Sequence, residues 1–105
     1  MDFSKFSQFE VKPVKNYEAF YVVSFDGRVY EIATGQEVAQ HMTLNGSAFV
    51  RLARYGTVKN KKLDKIVAHA FVPNPHGFHS VAHKDGNKQN NRADNLFWYQ
   101  RRKKT

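Results

Sequence analysis

Turn signals cut the N-terminal half of this chain into pieces too short for a long helix. Gly27, Gly35, Gly46 and Gly56 close the turn-forming groups Phe25-Asp26-Gly27, Thr34-Gly35, Asn45-Gly46 and Tyr55-Gly56. Glycine adopts positive φ without steric cost, and Asn-Gly is a strong signal for a tight hairpin. The runs between these turns are aromatic, β-branched or alternating. Tyr17 to Ser24 (YEAFYVVS) reads as a strand, Arg28 to Ile32 as its return, and Gln36 to Met42 as a third. In Ala48 to Ala53, Phe49, Arg51 and Ala53 alternate with Val50 and Leu52, the period of a strand with one buried face. The basic run to Lys62 completes a small antiparallel sheet.

The pattern then changes period. Asp64 has the chemistry of a helix N-cap, because its carboxylate can accept a free backbone N–H and faces the positive end of the helix dipole. Lys65 to Phe71 places Ile66, Val67, Ala70 and Phe71 on one apolar side, and Pro73 and Pro75 end the helix. From Phe78 onward the chain is rich in His, Asn, Asp, Lys and Arg, closing on Leu96, Phe97 and Trp98 before a basic tail, RRKKT.

Bulk properties narrow the function. A chain of 105 residues is expected to form one domain, 1–105. With 41% hydrophobic residues it can close a modest core. The formal net charge of +8 favours a polyanionic partner, most simply nucleic acid. There is no cysteine, which excludes disulfides and thiolate metal sites and fits a reducing cytoplasm. No segment approaches the ~20 apolar residues that cross a bilayer. The start, MDFSKFSQFE, lacks the pattern of a signal peptide. A cytoplasmic protein with no membrane contact is expected.

Val81 to Trp98 reads VAHKDGNKQNNRADNLFW. Its Asn and Asp residues suit an ordered polar loop, since their side chains bond nearby backbone groups. A strand end carrying His83, that loop and a strand at Leu96 to Trp98 would make a hairpin. A histidine fixed there can take a proton from water, because imidazole titrates near neutrality.

This segment resembles the HNH motif of the ββα-metal nucleases, in the form carried by phage and intron homing endonucleases. The likeness rests on Val81, His83, Asp85-Gly86-Asn87-Lys88, Asn90-Asn91, Asn95-Leu96 and Trp98. KIVAHAFVPNP resembles the helix and Pro-rich exit ahead of that motif, and AFYVVSFDGRVY the sheet module before it. The resemblance implies an α+β fold: a sheet module over 9–63, an HNH region over 64–99 and a basic tail over 100–105, with the C-terminal helix of the motif short or missing. It implies a DNA endonuclease that hydrolyses a phosphodiester of double-stranded DNA with a divalent metal, usually Mg2+. His83 would be the general base. Asn95 would hold the loop and help orient it, while Asn87, Asn90 and Asn91 would be structural.

Two departures matter. The residue before the histidine normally supplies an Asn or Asp metal ligand, and here it is Ala82. The family continues into a helix bearing another ligand, where this chain has Arg101, Arg102, Lys103 and Lys104. Magnesium needs oxygen donors, and cations repel it. Three readings follow: an introduced replacement that disables an enzyme, a natural relative that binds without cutting, or a metal held differently through Asp85 or His79. A non-catalytic DNA-binding module is therefore the alternative to an endonuclease. A general RNA-binding protein is weaker, as no RNA-recognition signature is present.

Lys59, Lys61, Lys62, Lys65, Lys84, Lys88, Arg92, Arg101 and Arg102 are the candidate phosphate contacts, which position a duplex without reading its sequence. Arg28, Arg51 and Arg54 suit an exposed sheet face or a groove equally. His41 and His69 read as structural or surface residues, and His76 and His79 as loop residues, because their spacing is not that of a zinc site. One motif cuts one strand, so a double-strand break would require a second copy in a homodimer.

Overall fold

The computed structural model describes residues 10–100. The fold is α+β, as the resemblance implies, with antiparallel strands and one α-helix. The strands form two three-stranded sheets and a separate hairpin, not one N-terminal sheet. The first sheet runs β1 (Val11–Pro13), β2 (Tyr21–Ser24) and β3 (Val29–Glu31). The second runs β4 (His41–Met42), β5 (Ala48–Arg54) and β6 (Thr57–Lys62). Helix α1 (Leu63–Phe71) leads to the hairpin of β7 (Ser80–His83) and β8 (Leu96–Tyr99).

Several boundaries differ from the sequence reading for local reasons. Tyr17 to Phe20 coils into a turn, with the Phe20 and Tyr21 amides donating to the Tyr17 carbonyl, so the strand begins only at Tyr21. Most of Gln36 to Met42 stays outside strands. Only His41–Met42 pairs with β5, and Glu37 forms an isolated bridge to Tyr30. The helix starts at Leu63, and its N-cap is Lys62, which makes no side-chain capping bond. Asp64 is therefore not the cap. It lies in the first turn, where its charge still suits the dipole, with Oδ1 buried and without a hydrogen-bond partner.

The core explains why the pieces stay together. Val50 and Leu52, the inward set of β5, are fully buried, whereas Arg51 and Ala53 are exposed. They meet Leu63, Ile66 and Val67 of α1, Tyr17 and the β2 residue Tyr21, and Leu96 of the hairpin. The Tyr21 hydroxyl accepts from the Ala53 amide at 3.1 Å, tying the two sheets together. The hairpin is held to α1 by the Trp98 Nε1 hydrogen bond to the Val72 carbonyl (3.1 Å) and by the edge contact of the Trp98 and His69 rings.

One turn fixes the polar loop that follows β7. The Phe25 carbonyl accepts from the Ala93 amide at 2.8 Å. Gly27 stands at φ +86°, and a Cβ there would meet the Asn91 carbonyl oxygen at 2.7 Å. Only glycine permits both the conformation and this approach. The β2–β3 turn is thus a shelf for the loop between β7 and β8.

Candidate active site

β7 and β8 pair in the register Ser80–Tyr99, Val81–Trp98, Ala82–Phe97 and His83–Leu96. Side chains alternate across a strand. Val81, His83, Leu96 and Trp98 therefore share one face, with Leu96 in the core. Ser80, Ala82, Phe97 and Tyr99 share the other.

The loop from Lys84 to Asn95 closes on itself through Asn and Asp side chains. Asp85 Oδ1 accepts from the Asn87 amide (2.8 Å) and Asn95 Nδ2 (2.9 Å), and Oδ2 accepts from Asn90 Nδ2 (2.9 Å). Asn95 Nδ2 also donates to the Asn90 carbonyl (2.8 Å), and its Oδ1 accepts from the Asp85 amide (3.2 Å). These donors favour the ionised carboxylate. With the Asn90 bond foremost, they lower the Asp85 pKa to about 2. Asn95 and Asn90 thus hold the loop. A single turn of 3-10 helix at Ala93–Asn95 delivers Asn95 into it.

His83 Nε2 lies 2.7 Å from Asn91 Oδ1. An amide oxygen only accepts, so Nε2 is the donor in this contact, and in the neutral ring the lone pair then lies on Nδ1. Asn91 is 5% exposed, its backbone packs on Gly27, and its Nδ2 is buried without a partner. The ring is oriented by Asn91 and not directly by Asn95, whose hydrogen bonds all stay within the loop. Sequence alone offered two asparagines of equal chemistry here, and the Gly27 shelf decides between them. The consecutive Asn90-Asn91 pair was the available signal, one residue facing the loop and its neighbour facing the ring.

The candidate cations fall into two groups. Lys84 and Lys88 are exposed on the loop, and Lys88 Nζ reaches the Asn45 carbonyl at the β4–β5 turn (3.2 Å). Lys59, Lys61 and Lys62 lie on β6, and Lys65 lies on α1. Arg92 is engaged locally, paired with Asp94 (3.3 Å) and set over the Phe25 ring. Arg28 pairs with Asp26 and Glu37, while Arg54 donates to the Asn16 carbonyl and sits over Tyr17. Arg101 and Arg102 lie outside the described residues. His41 stacks on Phe49 and His76 on Phe78, in keeping with structural roles.

A profile of the HNH endonuclease family matches residues 55–105. DNA endonuclease I-HmuI of Bacillus phage SP01 is 36% identical over 89 residues, covering 85% of this chain and 51% of the phage protein. A solved structure concerned with DNA binding and cleavage by the HNH homing endonuclease I-HmuI superposes with a TM-score of 0.80 at 35% identity, over 88% of this chain and 53% of that one. The chain belongs to the HNH endonuclease family. An uncharacterized HNH endonuclease, L245 of Acanthamoeba polyphaga mimivirus, is 30% identical over 78 residues, covering 74% of this chain and 24% of the viral protein. The HNH chain described here spans about half the length of I-HmuI.

HNH nucleases generally use a divalent metal, and the donors of this HNH site do not fit one. Ala82 offers no oxygen beside His83. Both Asp85 oxygens accept hydrogen bonds inside the loop. Among the described residues, no group of three or more His, Cys, Asp or Glu side chains could hold a metal ion, so neither Asp85 nor His79 joins a replacement cluster.

Proposed function

We propose that this chain grips double-stranded DNA with its lysines and presents His83 as the general base of an HNH site whose hydrolytic step is disabled at Ala82. One observation carries the reading: the 2.7 Å bond between His83 Nε2 at the end of β7 and Asn91 Oδ1 in the loop, with Ala82, which has no side-chain oxygen, as the preceding residue. Oriented this way, Nδ1 would accept a proton from a water attacking a phosphodiester. Asn91 would keep the ring from turning, and the Asp85–Asn90–Asn95 network would keep the loop rigid. Lys84 and Lys88 would hold phosphates beside the histidine, and the β6 lysines would hold them farther along the duplex. A metal, in relatives that hold one, supplies charge stabilisation at the phosphate. No residue described here replaces that contribution.

Among the described residues, no helix is long and apolar enough to cross a membrane. DNA in a cytoplasmic setting is the partner that the charge and the family favour. A non-catalytic DNA-binding module is the second reading, favoured by Ala82 itself. It differs from the first in what restoring the oxygen does.

The test combines fluorescence anisotropy on a labelled duplex with plasmid nicking in Mg2+ or Mn2+. The chain is expected to bind with strong salt dependence and to leave supercoiled plasmid intact. Ala82→Asp is expected to nick, and the Ala82→Asp/His83→Ala double variant to stop nicking. Binding without nicking in every variant favours the non-catalytic module. Nicking by the unaltered chain, or nicking that survives His83→Ala, refutes the reading.

A further inference from the structure

A second concave site lies away from the hairpin. It is a cavity of about 310 Å³ between the β1–β2 connection, the inner ends of β5 and β6, and one side of α1. None of its lining residues belongs to β7, β8 or the loop between them. Its rim carries Lys15, Lys61, Lys62 and Lys65, with His69 at the edge. No acidic side chain is in the lining, and among the described residues the ion pairs are those of Arg28 and Arg92, although the charges of Glu18 and Lys15 interact beside the rim. Lys61 is set over the Tyr17 ring at 5.9 Å.

The floor has the opposite character. Val14, Leu52 and Ile66 are core residues, and Tyr17 adds an aromatic face. The helix also begins here: Lys62 is an N-cap without a capping side chain, and the carboxylate near the positive end of α1 is that of Asp64 in the first turn. Asp64, in the same turn, is buried and outside the lining. Partial burial, followed by the charges of Lys15 and Lys65, holds the His69 pKa below that of an ordinary imidazole, as expected where cations crowd together.

Converging like charges around an apolar hollow repel one another until an anion joins them. The volume is at the lower end of small-ligand sites, which span about 300–1,000 Å³. It has room for one nucleotide unit and not for a dinucleotide cofactor. We propose that this hollow is a phosphate-binding pocket for a single nucleotide unit, its phosphate on Lys15, Lys61, Lys62 and Lys65 and its sugar and base on the apolar floor. The unit is either part of a bound DNA strand or a free mononucleotide. The strand source rests on the DNA-binding reading above, and the free source does not.

The experiment is NMR of the backbone amides of the full chain, titrated with dAMP, with inorganic phosphate and with a duplex. It is repeated on Lys61→Gln/Lys65→Gln and on the control Lys12→Gln, which removes a cation outside this lining. The amides of Asn16, Lys62 and His69 are expected to move with dAMP and, more weakly, with phosphate. They are expected to stay still in Lys61→Gln/Lys65→Gln and to move normally in Lys12→Gln. Where the strand is the source, the same amides respond to duplex. The pocket variant then loses on the order of tenfold in duplex affinity, and its salt slope falls by about 2. A response to dAMP with none to duplex identifies the free nucleotide, and the reverse identifies the strand. Pocket amides unmoved by all three probes overturn the proposal. Loss of duplex binding everywhere, with the dAMP response intact, overturns the DNA-binding reading and leaves the pocket standing.

Discussion

The two faces of the β7–β8 hairpin have been treated very differently. The inward face carries Val81, His83, Leu96 and Trp98. Leu96 is 2% exposed in the core, and Trp98 is bonded to the end of α1. The outward face carries Ser80, Ala82, Phe97 and Tyr99. Phe97 and Tyr99 are 40% and 37% exposed. The histidine is therefore fixed by the same packing that folds the domain, whereas position 82 has no part in that packing. A ligand on the outward face can be exchanged for alanine at little cost to stability, while the inward face resists change. Residues kept only for function, on a face the fold does not need, are the ones that can be lost silently.

The first way to break this contrast is at Leu96. Leu96→Ala should leave a cavity beneath the histidine and cost about 2–5 kcal/mol in urea unfolding. A cost below about 1 kcal/mol would mean that the inward face is not what anchors the hairpin. Next is the shelf. Gly27→Ala adds a Cβ 2.7 Å from the Asn91 carbonyl oxygen at a φ of +86°. Backbone strain of this kind costs about 1–3 kcal/mol. Because Asn91 must shift, the His83 ring resonances should move as well, a readout that a distant structural defect would not give. Asn95→Ala comes third. It removes the bonds from Asn95 to Asp85 and to the Asn90 carbonyl and should cost about 1–2 kcal/mol, with faster hydrogen exchange at the Asp85 amide.

How much of this was legible in the sequence depends on how local each cause is. The ordered polar loop could be read directly, because Asx chemistry acts over a few residues, whereas His83 as candidate base and Ala82 as a changed position came from the resemblance to the HNH motif. Helix α1 was legible from its period and from the prolines after it. Tyr17 to Phe20 misled because aromatic residues suit a strand and a turn anchored by one buried ring equally. The choice of Asn91 over Asn95 as partner of the ring depends on Gly27, sixty-odd positions upstream, and periodicity cannot report such a contact. The cationic pocket is invisible for the same reason. Lys15 joins Lys61, Lys62 and Lys65 only when the β1–β2 connection folds against α1.

Acid offers a milder test of the loop. The Asp85 pKa is lowered to about 2 from an ordinary value near 3.8. A depressed carboxylate pKa stabilises the fold above the unfolded value, and that contribution fades as pH falls through the folded one. Loop order should therefore persist at pH 5 and be lost between about pH 4 and pH 2, followed by the side-chain amide signals of Asn90 and Asn95. Loss of those signals above pH 5 would mean that some other group opens the loop.

The smallest expected effect is on the outward face, and it sharpens the comparison most. Phe97 faces Tyr99 along the strand, with ring centroids 6.3 Å apart, and lies across the hairpin from Ala82. Its side chain is 40% exposed and lies outside the core cluster, so Phe97→Ala should cost no more than about 1 kcal/mol. The core residue beside it in sequence, Leu96, should cost several times more. If Phe97→Ala instead costs about as much as Leu96→Ala, something covers this face in solution, either the segment beyond Gln100 or a second copy of the chain. Concentration dependence of the unfolding midpoint separates the two, because only a dimer gains stability as protein is added. A covered outward face would also place new donors beside Ala82 and reopen the question of the metal, whereas a bare one leaves His83 poised with no ligand next to it.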